Sequence, residues 1–193
     1  MIILPTDQEL IHEIKNGSQA AMEVLVQRHY KNIFAYIYRK VGDYHLAYDL
    51  TQETFVKMMK SINNYKPYGK FSNWLLTIAV NQCRDYFRSS KFKQMDNEQE
   101  FQDWIPDEKE NIAQLLSKKV ESERVRTALQ QLPDFQREAI ILQYYHDLKI
   151  REIAKITHSK EATVKSRLRQ GIQKLQKKFR EENEDDQNNR QGS

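Results

Sequence analysis

The sequence is poor in the residues that break a helix or cross-link a chain. Its 193 residues include only 5 glycines, 4 prolines and a single cysteine, Cys83. Scarce glycine and proline, long helical periodicities and no convincing alternating run together predict an all-α fold. One cysteine excludes an internal disulfide, which is typical of a reducing cytoplasm. We interpret Cys83 as a small buried residue, with a redox-sensing thiol as the alternative.

Long apolar runs are also missing. No stretch approaches the ~18 apolar residues of a membrane-spanning helix, and the apolar start, residues 1–5, is too short for a signal peptide. We therefore expect a cytoplasmic protein with no membrane insertion of its own. The histidines show no metal-ligand spacing, so we predict no metal site and no cofactor; they are His12, His29, His45, His146 and His158.

The charge is unevenly divided along the chain, although its net value is only +4. Residues 1–91 carry 12 basic and 8 acidic side chains, and residues 126–180 carry 13 and 5. Residues 92–125 carry 5 basic and 9 acidic side chains, and residues 181–193 carry 1 and 5. We predict two small helical domains at 1–91 and 126–180, a flexible acidic linker at 92–125 that grades into the next helix, and a disordered acidic tail at 181–193. Two basic blocks favour two nucleic-acid surfaces.

Near the C-terminus, two helical patterns flank a short polar break. The first has apolar residues at helical spacing from Leu148 to Ile156, and the second repeats them from Val164 to Phe179. Two helices joined by about four residues, with basic charge on the second, are typical of a helix-turn-helix. Basic amphipathic helices also bind membranes, acidic proteins and RNA, so those alternatives stay open at this point.

Several polar residues at the start of the second helix fall off its apolar face. A recognition helix places such side chains against base edges in the major groove, where arginine can form two hydrogen bonds to guanine. The candidates are Thr163, Lys165, Ser166, Arg167 and Arg169.

The run EIAKITHSKEATVKSRLRQGIQKLQKK, with LPDFQREAIIL before it, resembles the C-terminal domain of bacterial sigma factors of the extracytoplasmic-function (ECF) type. His158 stands where that family has a turn glycine, and Ser159 where it has an apolar residue. Since histidine tolerates a left-handed backbone, we expect the turn to be retained. The resemblance implies that this domain reads the minus-thirty-five promoter element and holds the β-flap of RNA polymerase. We expect the flap contact to lie among the apolar residues of 139–142 and 172–179.

Capping signals divide the N-terminal block into four helices. Thr6 and Glu9 form a capping box that starts the first helix. The next three are predicted at 18–41, 43–62 and 72–89, with Ser72 as the N-cap of the last.

LAYDLTQETFVKMMKSI and KFSNWLLTIAVNQCRDYFR, in the same block, resemble the N-terminal domain of the same sigma factors, although Tyr48 stands where the family often has glutamate. Asp49, Gln52 and Glu53 share one helix face. The resemblance implies that this face docks on the β′ clamp helices of core RNA polymerase, an acidic patch on a basic surface. A metal-dependent nuclease using Asp49, Glu53 and Asp85 is the enzymatic alternative.

Residues 63–70 form a loop of aromatic, amide and basic side chains. Such a loop suits an unpaired strand, because bases stack on rings and ammonium groups follow phosphates. The resemblance implies capture of a flipped base of the minus-ten element, with an ordinary polar connection as the alternative. The minus-ten candidates, including a polar stripe on the next helix, are Asn64, Tyr65, Lys66, Tyr68, Lys70, Asn81, Arg84 and Arg88. Phe71 and Trp74 are interpreted as core residues.

Together, these patterns identify the chain as similar to an alternative sigma factor of the ECF type. Such a protein binds core RNA polymerase and directs promoter-specific initiation without being an enzyme, and the family implies an anti-sigma factor as a further partner. A helix-turn-helix activator that is not a polymerase subunit is the alternative, but residues 1–91 lack the alternating strands and helices of a receiver domain.

Overall fold

The computed structural model describes residues 4–89 and 123–191, with side chains described as far as residue 182. These residues form helices, turns and loops without a strand, which confirms the all-α prediction. The helices are α1 (Asp7–Lys15), α2 (Gln19–Val41), α3 (Tyr44–Ser61), α4 (Phe71–Arg88), α5 (Glu123–Gln130), α6 (Asp134–Tyr144), α7 (Ile150–Ile156) and α8 (Glu161–Gln191), and a 3₁₀ turn covers Ile62–Asn64. Most of the predicted linker, including Phe101, Trp104 and Ile105, lies outside the described residues.

The chain divides into two compact units. The first is built from α1–α4, and the second carries most of the residues in α5–α8. Within the described residues, no helix is both long enough and apolar enough to span a membrane.

Polar caps define where the first three helices start, each within one residue of the predicted start. Thr6 and Glu9 form the expected capping box, in which the Thr6 amide donates to the Glu9 carboxylate at 2.6 Å. Ser18 Oγ accepts from the Ala21 amide at 3.2 Å, and Asp43 Oδ1 accepts from the Leu46 amide at 2.7 Å. These side chains satisfy amides that have no partner within the helix.

The start of α4 differs from the prediction. The helix begins at Phe71, and its N-cap is Lys70, which makes no side-chain capping hydrogen bond. Ser72 is therefore a helical residue and not the cap. Burial of the Phe71 ring draws this residue into the helix and overrides the local capping preference of serine.

The core of the first unit lies where α2, α3 and α4 pack on one another, with α1 packed against α2. Fully buried apolar side chains come from each of the three longer helices: Leu25, Ile37, Met58, Leu75 and Ala79. Burial of each leucine, isoleucine or methionine stabilises the fold by about 1.5–3 kcal/mol. This core turns the polar faces of α3 and α4 outward.

The second unit is centred on the packing of α6 against α8. The predicted stripe of α8 is buried at Val164, Leu168, Leu175 and Phe179. Gly171 allows the two helices to approach closely, because a Cβ atom there would lie 2.7 Å from Ile140 Cδ1 and 3.3 Å from Gln136 Cβ.

Two predictions for the C-terminal half need correction. All of residues 139–142 are buried, as are Leu175 and Phe179, so these residues form the core and do not offer an apolar surface for the β-flap. In addition, α8 continues to Gln191, through most of the tail that was predicted to be disordered. Ion pairs between Lys177 and Glu181 and between Lys178 and Glu182, each at 3.8 Å, support this helical continuation.

Substitution of Gly171 tests the packing of α6 against α8. We expect Gly171→Val to lower the free energy of unfolding of the second unit by about 2 kcal/mol, since overpacking a filled core costs about 1–3 kcal/mol. The higher helix propensity of valine offsets a few tenths of a kcal/mol. Native-state amide hydrogen exchange in α6 and α8 measures the change.

Ala162→Val is the matched control, because Ala162 is exposed in the first turn of the same helix. Its effect should stay within about 0.5 kcal/mol. Equal amide protection in the two variants would contradict the close packing.

Candidate nucleic-acid and partner interfaces

A tight, hydrogen-bonded turn precedes the start of α8. His158 adopts φ 51°, its amide donates to the Lys155 carbonyl at 3.3 Å, and the Ser159 amide donates to the Ala154 carbonyl at 2.9 Å. This pair of bonds around a left-handed residue is the Schellman motif that ends a helix. The expectation that histidine can replace the family's glycine here is confirmed, because His158 occupies the left-handed region.

The Arg167 side chain connects this turn to α6. Its Nη1 atom donates to Ser159 Oγ at 3.0 Å, and its guanidinium lies 4.5 Å from the centroid of the Phe135 ring on α6. The side chain is half-buried, so the structure differs from the prediction that Arg167 faces the bases. Ser159, the polar residue in place of an apolar anchor, supplies the acceptor that holds Arg167.

The other residues predicted to contact the minus-thirty-five element lie along the outer face of α8. Lys165 and Arg169 are exposed one turn apart, whereas Thr163 and Ser166 are half-buried. Ser166 Oγ accepts from Gln170 Nε2 at 3.1 Å, and Gln170 Oε1 accepts from Gln136 Nε2 at 2.9 Å. Sequence reasoning missed Gln170, although its spacing of four from Ser166 placed it on the same helix face.

In the first unit, Tyr65 is the anchor of the loop and not an exposed ring. Its side chain is 7% exposed, and its ring lies 5.5 Å from Phe71 and 4.9 Å from Trp74. Burial, and secondarily the Asp7 carboxylate, raise the pKa of the Tyr65 phenol above its ordinary value. The prediction that Tyr65 contacts DNA directly is therefore not supported by its position. Phe71 is core as predicted, while Trp74 is only half-buried.

The residues after Tyr65 are exposed. The Tyr68 ring is 90% exposed, and Lys66 and Lys70 flank it with their side chains in solvent. Gly69 has φ 110°, a conformation that L side chains rarely adopt. The loop thus offers one free ring between two cations, and Asn64 is exposed on the 3₁₀ turn before it.

The polar stripe of α4 borders a groove against α3. Asn81 and Arg84 are half-buried, and Arg88 is exposed. The groove has a volume of about 390 Å³ and is lined by Lys57, Lys60, Ser61, Ile78 and Asn81. Asp85 Oδ2 lies 3.8 Å from Lys57 Nζ, so this carboxylate forms an ion pair with α3. The two lysines of α3 were not among the predicted site residues.

The three residues predicted to bind polymerase are all exposed on α3, as their spacing indicates: Asp49, Gln52 and Glu53. Glu53 accepts a hydrogen bond from the side-chain amide of Gln82, a buried residue of α4. The acidic face of α3 is therefore tied to α4 through Glu53.

Three aromatic residues of α2 stack on one another and form an aromatic ladder: Tyr30, Phe34 and Tyr38. Their rings stack at centroid distances of 6.2 and 6.0 Å with interplanar angles of 8° and 7°. Tyr44, which is 60% exposed at the start of α3, meets Phe34 edge-on at 5.4 Å. The ladder was not predicted from the sequence, although aromatic residues four positions apart on a helix lie on the same face.

No group of three or more histidine, cysteine, aspartate or glutamate residues within 4–89 and 123–182 could hold a metal ion. The nuclease alternative therefore has no metal cluster in that part of the chain. Cys83 is fully buried, in agreement with its interpretation as a small core residue.

Comparison with known proteins supports the resemblance seen in the sequence. Residues 25–92 match the family model for Sigma-70 region 2, and residues 122–175 match the family model for Sigma-70 region 4. The two matches cover the helical surfaces described above, one in each unit.

Two similar proteins are both described as ECF RNA polymerase sigma factors. The ECF RNA polymerase sigma factor SigW of Bacillus subtilis is 31% identical over 178 residues, which span 89% of this chain and 95% of SigW. The ECF RNA polymerase sigma factor SigE of Mycolicibacterium smegmatis is 35% identical over 162 residues, which span 82% of this chain and 63% of that protein.

Solved structures agree with the fold. CnrH, solved in complex with the cytosolic domain of CnrY, aligns with 90% of this chain and 96% of its own at a TM-score of 0.64 and 25% identity. RpoE of Bartonella quintana, solved with the anti-sigma factor NepR, aligns with 82% of this chain and 96% of its own at a TM-score of 0.61 and 20% identity. The chain belongs to the ECF sigma factors, which bind RNA polymerase and promoter DNA and direct promoter-specific transcription.

Proposed function

We propose that this sigma factor reads the minus-thirty-five element with α8 and holds the separated strands of the minus-ten element with the loop at 65–70 and α4. The observation that carries this proposal is the exposed pair Lys165 and Arg169, placed on the first turns of a helix that begins at a fixed turn. The N-terminal turns of a recognition helix are the part that reaches base edges.

On α8, we assign the contacts with base edges to Arg169 and to Ser166 and Gln170, whose side chains are hydrogen-bonded to each other. Arginine discriminates guanine by two hydrogen bonds in the major groove, and glutamine can do the same for adenine. Lys165, as a point charge, serves a backbone phosphate. Arg167 supports this surface from behind, since its guanidinium already bonds Ser159 and covers Phe135.

In the first unit, Tyr68 stacks on an unpaired base while Lys66 and Lys70 follow the phosphates. Base–aromatic stacking contributes about 1–3 kcal/mol per base, which helps to offset the cost of unpairing. Asn64, Asn81, Arg84 and Arg88 extend this surface, and Lys57 and Lys60 add positive charge beside Asn81.

The polymerase contact is assigned to α3 together with the aromatic ladder of α2. Asp49 and Glu53 supply negative charge, and the rings of Tyr30, Phe34 and Tyr44 supply apolar faces that also attract arginine or lysine. This combination fits a basic helical partner, for which we propose the β′ clamp helices. We assign the β-flap contact to the second unit, on residues other than 139–142, Leu175 and Phe179, which are buried.

An anti-sigma factor completes the set of partners. Both units expose basic DNA-facing residues, which an inhibitor must cover to keep the factor inactive. CnrH is seen in complex with the cytosolic domain of CnrY, which supports a protein partner of this kind. In this function the chain itself performs no covalent chemistry, and promoter choice comes from differences in binding free energy.

Substitution of Arg169 tests the base-reading assignment. We expect Arg169→Ala to weaken binding of the minus-thirty-five duplex by about 1–3 kcal/mol and to relax the preference at one base pair, since a bidentate contact is lost. Competition binding with duplexes mutated at each position measures both effects.

Arg180→Ala is the control, because Arg180 is also exposed on α8 but lies about 16 Å further along the helix. It should leave the base preference unchanged. If Arg169→Ala and Arg180→Ala alter affinity and preference equally, Arg169 does not read a base.

Charge reversal on α3 tests the polymerase surface. We expect Asp49→Lys to weaken binding to core RNA polymerase by at least about tenfold, because a lysine there would face a basic partner. Asp49 is a cleaner test than Glu53, since reversal of Glu53 would also leave the buried Gln82 amide without its acceptor.

Fluorescence anisotropy with labelled protein and purified core polymerase gives the dissociation constants. Glu13→Lys makes the same charge change at an exposed position of α1 and should bind like the unmodified protein. Equal affinity of the Asp49→Lys and unmodified proteins would remove α3 from the interface.

A further inference from the structure

Helix α1 makes a specific contact with the loop that carries Tyr68. Lys15, in its last turn, donates from Nζ to the backbone carbonyl of Tyr65 at 2.9 Å, across 50 residues of sequence. The Tyr65 amide meanwhile donates to the Ile62 carbonyl at 3.0 Å. The peptide units on both sides of Tyr65 are therefore held, one by the 3₁₀ turn and the other by α1.

The ring of Tyr65 is held through a second route that also begins on α1. Asp7 lies 2.9 Å from His29 Nε2, and the His29 imidazole meets the Phe71 ring edge-on at 5.2 Å. Phe71 in turn lies 5.5 Å from the Tyr65 ring at an interplanar angle of 90°. Both ends of α1 thus contribute to the position of Tyr65.

The exposed part of the loop depends on this anchor. Lys66 follows Tyr65 directly, and Tyr68 stands three residues later with its ring in solvent. Beyond Tyr65, the loop is closed by a 2.7 Å bond from the Tyr68 amide to the Lys66 carbonyl and by a long 3.5 Å bond from the Tyr65 hydroxyl to the Gly69 carbonyl. A shift of the Tyr65 backbone would carry the ring of Tyr68 and its flanking cations with it.

We propose that Lys15 is a positioning residue for the minus-ten surface and that it acts by fixing the Tyr65 carbonyl. With this carbonyl fixed, the Tyr68 ring is in position to stack on an unpaired base, and Lys66 and Lys70 are in position to contact the phosphates. This inference rests on the proposed function of the loop. Its physical reason is that stacking on a ring held in advance avoids the ordering cost that a mobile loop would incur on binding. A charge-assisted hydrogen bond is strong enough for that task.

The test compares Lys15→Met with the unmodified protein in assembled holoenzyme on a promoter fragment. Methionine keeps much of the length and apolar character of the lysine stem but removes the donor. We expect the equilibrium fraction of promoter opened, measured by reactivity of unpaired thymines in the minus-ten element, to fall about fivefold to tenfold. Lys15→Arg, which retains a donor, should recover most of the opening.

Two further readouts separate positioning from general stability. Affinity for core polymerase and for the minus-thirty-five duplex should match the unmodified protein, and the lost hydrogen bond should lower the thermal unfolding midpoint by only about a few degrees. In a Trp104→Phe background Trp74 is the only tryptophan, since the sequence has two. Its fluorescence should change in Lys15→Met because the neighbouring Tyr65 ring moves. Lys31→Met, at an exposed position of α2, is the matched control and should change none of these values.

Three outcomes decide between the explanations. Full promoter opening by Lys15→Met overturns the inference and leaves the proposed function intact. Equal losses in opening, duplex binding and polymerase binding also overturn it, because they would show a general structural defect. If the unmodified holoenzyme fails to open the promoter, the proposed function of the loop itself fails, which the first two outcomes do not imply.

Discussion

The contact of the Arg167 guanidinium with the Phe135 ring and the Ser159 hydroxyl holds the N-terminal end of α8 against α6 and the preceding turn. It joins α6, the turn and α8 at one point. Two backbone bonds around the left-handed His158 also hold the turn. A cation over an aromatic ring contributes about 0.5–2 kcal/mol, and a hydrogen bond from a charged donor adds a comparable amount. That is enough to fix the orientation of the first turns of α8 relative to its core.

The first unit uses the same arrangement with different chemistry. A buried residue, Tyr65, supports an exposed one, Tyr68, and the polar residues around them complete the surface. In both units, a buried or half-buried side chain supports the surface, and the exposed neighbour is the residue that we propose contacts DNA. Under the proposed function, preorganisation of this kind helps to offset the cost of unpairing bases, since each side chain that binding must immobilise subtracts from affinity.

Much of this could be predicted from the sequence. Helical periodicity and polar caps gave three of the helix starts, the all-α fold and the exposed face of Asp49, Gln52 and Glu53. What could not be predicted depends on contacts between distant residues. Arg167 and Arg169 look equivalent in sequence, and only the presence of Phe135 on another helix shows that one of them is turned inward. Tyr65 and Tyr68 are likewise indistinguishable by composition, and the packing of Phe71 and Trp74 decides which ring is buried. No local signal marks Lys15 as a partner of the loop, because its acceptor is a backbone carbonyl.

We propose that the two basic surfaces of this chain determine the promoter at which core RNA polymerase initiates transcription. The most direct measurement is run-off transcription by purified core RNA polymerase with and without this chain, on templates that differ only in the minus-thirty-five or minus-ten element. The account predicts initiation at one defined site, dependent on the chain and on both elements, and falling steeply with salt because phosphate contacts release counterions. Initiation that is independent of either element, or duplex binding by the chain without any initiation, would contradict it.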